Sequence, residues 1–342
     1  MNIVGLGKTN LQVSRIGIGG IAIQRPPLDE AIKVIQHALD LGVNFIDTAI
    51  GYGDSEERIG KAIVGRREQV FLATKGWAGD KTTTCEHIET SLKRLNTDYI
   101  DVWQFHGINT FERYEQILGP DGAMEAAQDA LHVGKIRHIG FSSHSLEVAL
   151  KAVASNYFET VQYPLNFIAD EAVAELLPLT IKHDVGYIAM KPFAGGHLRD
   201  ARLAMKFLLK FDHVLPDPGI ETIAEIEELV AIVEHGPYEL TPEDVRQMDA
   251  IRANLGKRFC HQCGYCLPCP QDVNIPMVMI TPIMWKLWPQ HLFRDPDWWY
   301  LKAVETGRKC AECGICESKC PYQLPIRASI VENLKFFESV RV

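Results

Sequence analysis

Asp47, Tyr52, Lys75 and His106 are four side chains able to handle protons, and each stands where an apolar run gives way to a loop. Asp47 ends the run NFID (44–47), and Tyr52 lies five residues on, between Gly51 and Gly53. Lys75 follows VFLAT (70–74), and His106 follows YIDVWQF (99–105). A carboxylate at a strand's carboxyl end with a phenol in the next loop suggests proton chemistry. Singly, each residue has a plainer reading. An Asp there is often a turn residue, a Lys is usually solvated, and a His is usually satisfied in the core. Four at the same relative place make chance a poor account. After Tyr52, Asp54 and Ser55 are expected to cap a helix beginning EERIGKAIV.

The elements that must position these groups follow from periodicity. Short apolar runs recur at IGIG (16–19), NFID, VFLAT, YIDVWQF, IRHIGFS (136–142), TVQY (160–163) and VGYIAM (185–190), with HVLPDPG (213–219) a weaker eighth. Between them, 28–41, 84–95, 123–133, 146–154 and 171–182 carry helical spacing: Ala31, Val34, Ile35, Ala38 and Leu41 fall at i, i+3 and i+4 steps. About eight strand–helix alternations over roughly 230 residues predict an α/β fold, a (β/α)8 TIM barrel whose active groups follow the strands. A doubly wound open sheet is the rival, but GIGGIAIQ lacks the last glycine of G-x-G-x-x-G.

Over roughly residues 1–255 the chain resembles the aldo-keto reductase family, through LGKTNLQVSRIGIGG, NFIDTAIGYGDSEERIGKAI, ATKG, LNTDYIDVWQFHG and GKIRHIGFSSHS. The resemblance implies a catalytic tetrad of Asp47, Tyr52, Lys75 and His106. The residue types suit it. Reducing a carbonyl by hydride leaves an alkoxide to be protonated, and a free phenol with a pKa near 10 is a poor acid at neutrality. An ammonium beside it favours the ionised form. Asp47 would hold Lys75 charged, and His106 would orient the substrate oxygen.

The same resemblance implies nicotinamide contacts at Gly20, Ser142, Ser143, Gln162, Lys191, Phe193, Gly219 and Glu221. Met190-Lys191 in MKPFAGG stands where the family usually places a stacked aromatic ring and a serine. In PGIETIAEIEEL (218–229), Glu221 and Glu225 stand where basic side chains would hold a 2′-phosphate. Two carboxylates would repel that phosphate, which favours NADH over NADPH as NAD(P) cofactor. As first-turn helix acids they would instead simply complement the dipole.

Of nine cysteines, eight fall between Cys260 and Cys320. Cys260, Cys263, Cys266 and Cys269 form C-x2-C-x2-C-x2-C-P; Cys310, Cys313, Cys316 and Cys320 form C-x2-C-x2-C-x3-C-P. The second has the bacterial ferredoxin spacing for [4Fe–4S] ligation, in which the cysteine before proline serves the other cluster. Two [4Fe–4S] clusters are therefore expected, Cys320 joining the first run and Cys269 the second. The shorter last gap of the first run leaves open whether Cys269 completes its own cluster, and zinc is the plainer alternative. LTPEDVRQMDAIRANL (240–255), with Thr241 as cap and Pro242 at the first helical position, is expected to close the barrel. The boundary is placed near Gly256, with a small, mainly helical ferredoxin-like domain over 256–342. ITPIMWKLWPQHLFRDPDWWYLKAVETG (280–307) holds four of six tryptophans, as core or as a redox partner's docking face. Cys85 is expected to be a buried small hydrophobe.

A net charge of −9 without a long basic run argues against nucleic acid. No apolar run approaches the ~20 residues of a membrane span, and the amino-terminal stretch is too polar for a signal peptide, so a cytoplasmic place is expected. Three functions remain: a carbonyl/alcohol oxidoreductase coupled to electron transfer through the clusters, an NAD(P)H carbonyl reductase with structural clusters, or a redox-sensing scaffold. Clusters pass single electrons and nicotinamide passes hydride, so either a converter such as flavin stands in the barrel mouth, or a partner does the conversion, or the substrate is reduced directly by electrons. The substrate and any homo-oligomer are left open.

Overall fold

In the computed structural model, residues 1–255 and 258–341 are described. The boundary expected near Gly256 lies outside the described residues. The chain forms two compact units, Met1–Ala194 with Leu198–Thr241, and Gly195–His197 with Pro242–Val342.

In the first unit, eight parallel strands run in sequence order around a curled sheet: β3 (Ile18–Gly19), β4 (Phe45–Asp47), β5 (Phe71–Gly76), β6 (Ile100–Phe105), β7 (Ile136–Ser142), β8 (Thr160–Pro164), β9 (Gly186–Met190) and β10 (Val214–Pro216). The sheet closes where Gly17 N donates to Pro216 O at 2.9 Å and Gly19 N to Pro218 O at 2.7 Å, leaving no open edge. This is the expected barrel, not the open sheet. A hairpin missed in the sequence precedes it, β1 (Ile3–Gly5) paired antiparallel with β2 (Gln12–Ser14). Its Leu6, Leu11 and Val13 pack with Phe45, Ala73, Val102, Ile188 and Leu215 in one apolar cluster.

That cluster sets the register of what lies above it. Strand side chains alternate, so the residue two positions on faces the same interior. Phe45 leads to Asp47, Ala73 to Lys75, Val102 to Gln104 and Leu215 to Asp217. Those four are all buried. An apolar layer thus carries a polar one at the carboxyl ends of the strands, where a barrel of this type holds its chemistry.

Two local expectations are corrected. The helix Ser55–Ala62 begins after Asp54, but neither side chain caps it. Asp54 pairs with Arg58 at 2.7 Å, and Ser55 Oγ donates to Gly20 O at 2.7 Å, tying the helix start to the first strand's loop. Cys85 is exposed, because Thr84, Ile88, Ser91, Leu92 and Leu95 form the buried face of its helix, Lys81–Leu95.

The second unit is mainly helical. Helix Pro242–Leu255, expected to close the barrel, groups with it. Phe293 is fully buried among Trp285, Trp298, Tyr300 and Phe337. The tryptophan-rich segment is therefore core in large part, with Trp299 exposed.

Candidate active site

Lys75 has no solvent exposure. Its ammonium donates to both oxygens of Asp47, at 2.7 and 2.6 Å, and to Thr48 O at 2.6 Å. Gln104 Nε2 donates to Asp47 Oδ1 at 3.0 Å, so the carboxylate is fixed from two strands. All three ammonium protons have acceptors, which a buried charge requires. Burial alone would lower the Lys75 pKa, but Asp47 and Tyr52 outweigh it and the value is raised.

The same ammonium lies 5.0 Å from the centroid of the Tyr52 ring, close enough for its charge to act on the phenol. Tyr52 as a residue is partly exposed, whereas Lys75 beside it is buried. Lys75 pulls the phenol pKa down as the residue types imply, but burial raises it more, and Asp47 and Asp217 add to the rise. The net direction is upward, contrary to the simple expectation of a lowered value. His106 meets Tyr52 edge-on, ring centroids 5.8 Å apart. Burial and the Lys75 charge lower its pKa to about 3, so it is a neutral imidazole. The four groups expected to act together are thus assembled at one barrel mouth. A site with a buried ammonium, a phenol and a neutral imidazole can deliver a proton to a developing alkoxide and hydrogen-bond that oxygen.

The groups expected at a nicotinamide are more varied in placement. Gly20 N donates to Asp47 O at 2.6 Å, and a Cβ there would lie 2.6 Å from that same oxygen, so the loop approaches β4 as only glycine allows. Ser142 Oγ accepts from Gly107 N at 2.9 Å. Ser143 Oγ donates to Ile108 O at 2.7 Å and accepts from Ser145 N at 3.0 Å, so it is committed to the loop. Gln162 Nε2 donates to Asp217 Oδ2 at 3.0 Å, while its Oε1 is buried without a partner. Lys191 stands at φ 57° with its carbonyl accepting from Asn166 Nδ2, and buried Ala194 follows Phe193. Gly219 pairs with Gly19 at the barrel closure.

Glu225 caps its own helix, its Oε2 accepting from Glu221 N at 2.7 Å and Thr222 N at 3.0 Å. Glu221 is ion-paired with Arg25. Sequence reasoning missed Arg25, which lies some 200 residues from its partner; no local pattern signals it. It missed His144 as well, a histidine near His106 and Lys191 whose pKa burial lowers well below the usual range.

In the second unit the thiols line two cavities. Cys260, Cys263, Cys266 and Cys320 line one; Cys269, Cys310, Cys313 and Cys316 line the other, with Cys266 reaching it as well. Burial, and then Cys260 and Cys263, push the Cys266 thiol up to about 12. To become thiolate ligands these cysteines need a strong positive charge beside them, as iron supplies. Among the described residues no group of three or more His, Cys, Asp or Glu is arranged to hold a metal ion.

Residues 15–206 match the family described as aldo/keto reductase, and residues 259–325 match a 4Fe-4S dicluster domain. The aldo-keto reductase YhdN of Bacillus subtilis is 37% identical over 199 residues, 52% of this chain and 58% of that protein. Among solved structures, aldo-keto reductase AKR11C1 from Bacillus halodurans (holo form) aligns with a TM-score of 0.63 at 26% identity, over 73% of this chain and 96% of the other. An aldo/keto reductase from Klebsiella pneumoniae in complex with NADP and acetate aligns with a TM-score of 0.62 at 25% identity, over 73% and 95%. Among the described residues no helix is long and apolar enough to cross a membrane.

The neutral histidine gives a pH signature. His106 ionises near 6.5 when unfolded and near 3 when folded, so the unfolded chain binds the extra proton between those values. The His106 contribution to stability is therefore full above about pH 6.5 and is lost as pH drops toward 3. Urea denaturation across that range should show a smaller acid loss for His106→Asn than for the wild type. Equal losses would contradict the buried neutral assignment.

Proposed function

The chain belongs to the aldo/keto reductase family, and on that premise we propose that its barrel reduces a small carbonyl substrate, with Tyr52 as the general acid. The observation that carries this is the Lys75 ammonium, fixed by Asp47 and held 5.0 Å from the centroid of the Tyr52 ring. As charge develops on the substrate oxygen, Tyr52 gives it a proton, Lys75 stabilises the phenolate left behind, and neutral His106 donates a hydrogen bond to the same oxygen. In the reverse direction the phenolate takes the alcohol proton.

A reduced nicotinamide would supply hydride when bound. The barrel mouth offers it Gly20, Ser142, the open Oε1 of Gln162, Lys191, Phe193, Gly219 and Glu221. The Klebsiella relative was solved with NADP. Arg25 offsets Glu221 and Glu225 is occupied in capping, so neither acid is placed simply to reject a phosphate. Both nucleotides are therefore candidates, and NADH keeps only the advantage of needing no phosphate site.

The dicluster domain would hold two [4Fe–4S] clusters, one on Cys260, Cys263, Cys266 and Cys320, the other on Cys310, Cys313, Cys316 and Cys269. The division of thiols between two cavities supports this exchange of last ligands. The clusters would pass single electrons to or from a partner, and a flavin is one group that could couple them to hydride chemistry.

Two variants test the halves of this reading. Tyr52→Phe should lower NAD(P)H-dependent reduction of 4-nitrobenzaldehyde by roughly 100-fold or more, while titrations with NADH and NADPH, and iron content, match the wild type. Retained turnover would remove Tyr52 from its role. Cys320→Ser, prepared anaerobically, should lose about half of the iron and sulfide and keep one cluster's paramagnetic signal. Full iron content would contradict the ligand assignment.

A further inference from the structure

The polar layer of the barrel holds one more ionisable group than the tetrad uses. Asp217 follows β10, two residues beyond Leu215, and is buried. Its backbone N–H donates to Ala189 O at 3.1 Å, which fixes it to β9. One carboxyl oxygen accepts from Gln162 Nε2 at 3.0 Å; the other, Oδ1, is buried and has no donor. Asp47 stands on the far side of β3 from Asp217: Gly19 pairs with Asp47 on one side and with Gly219 on the other, and the Asp47 charge acts on Asp217.

Charge counting decides what the pair must be. Among the described residues the cation that acts on both Asp47 and Asp217 is Lys75, and all three of its ammonium protons already go to Asp47 and Thr48. Tyr52 and His106 are neutral in the resting site, and Gln104 and Gln162 are amides. If both carboxyls were ionised, one buried negative charge would stand uncompensated, at a cost of several kcal/mol. One proton between them removes that charge and gives the orphaned Oδ1 a bond to make. Burial and the neighbouring Asp47 charge act in the same direction, raising the Asp217 pKa well above the carboxylate range.

We propose that Asp217 is a positioning residue for the proton transfer: a carboxylic acid at neutral pH that hydrogen-bonds to Asp47 and resupplies the proton that Tyr52 gives away. Held neutral, it spares Tyr52 an additional negative neighbour. After the phenol has protonated the substrate oxygen, Lys75 turns one N–H from Asp47 to the phenolate and gives up that proton, Asp217 gives its proton to the Asp47 carboxylate, and Asp47 hands it to the Lys75 amine. One proton moves along the chain per turnover, and Asp217 recovers it from water once the product has left. Nothing is oxidised or reduced in these steps. Gln162, which the family resemblance assigns to a carboxamide contact, here also orients Asp217.

This inference rests on the tetrad reading for its role but not for its protonation state, and the two fail separately. The infrared spectrum of the full-length protein near neutral pH should contain the C=O stretch of a buried carboxylic acid, and Asp217→Asn, which keeps the size of the side chain, should lack it. No such band in the wild type, or the same band in Asp217→Asn, overturns the assignment. Turnover need not occur for this arm. In the carbonyl-reduction assay, Asp217→Asn should lower kcat roughly tenfold or more with KM little changed, and should enlarge the solvent deuterium isotope effect on kcat. An unchanged isotope effect with unchanged kcat would overturn the resupply role. Asp217→Asn with wild-type thermal stability confirms that the loss is not one of folding.

Discussion

The first unit depends on one buried ion pair. An ammonium with no solvent exposure is tolerable only if its protons are all accepted and its charge is balanced. Asp47 and Thr48 meet both requirements for Lys75. Because the partners sit on adjacent strands, the pair is a consequence of register. Asp47 lies opposite Ala73, and Lys75 is two residues further along the same face. A shift of one residue in either strand would turn one partner out of the barrel. The hairpin and the apolar layer beneath hold that register, so stability and chemistry share one constraint.

Around this pair the site is graded in charge. Burial pushes the Tyr52 phenol up, the histidine down and Asp217 up, so each is neutral at rest. At the centre of the tetrad Lys75 and Asp47 carry opposite charges, and these cancel. Neutral, buried groups around one oriented ion pair are suited to stabilising charge that appears only during reaction. The upward shift of Tyr52 in the resting site does not conflict with acid catalysis. The alkoxide it meets is a far stronger base than water, and the Lys75 ammonium is already in place for the phenolate that results.

Much of this was legible in the sequence, and what was not has physical reasons. Eight apolar runs carried the strands, and Asp47, Tyr52, Lys75 and His106 could be placed because a barrel puts strand ends at one mouth. The amino-terminal hairpin escaped because its strands have three residues each, too short for a period to declare itself. Asp217 was read as part of a weak strand in HVLPDPG. Its meaning lies in a neighbour 170 positions away, which appears only when the barrel closes. Arg25 is the same case: an isolated cation in the sequence, paired with Glu221 only in the fold. Cys85 was misplaced by residue type, since helix phase and not hydrophobicity decides its exposure. For the second unit the cysteine spacing was informative, whereas the tryptophan-rich stretch gained its reading as core from the rings around Phe293.

The central claim is that the Lys75–Asp47 pair governs the acidity of Tyr52. It is tested most directly by ultraviolet titration of tyrosinate, with the Tyr52→Phe protein as reference to isolate that one phenol. The comparison is between the wild type and the double variant Lys75→Met/Asp47→Asn, which removes both charges and leaves neither unpaired. The account predicts that Tyr52 ionises at distinctly higher pH in the double variant, because burial then acts without the ammonium. The same midpoint in both proteins would contradict it.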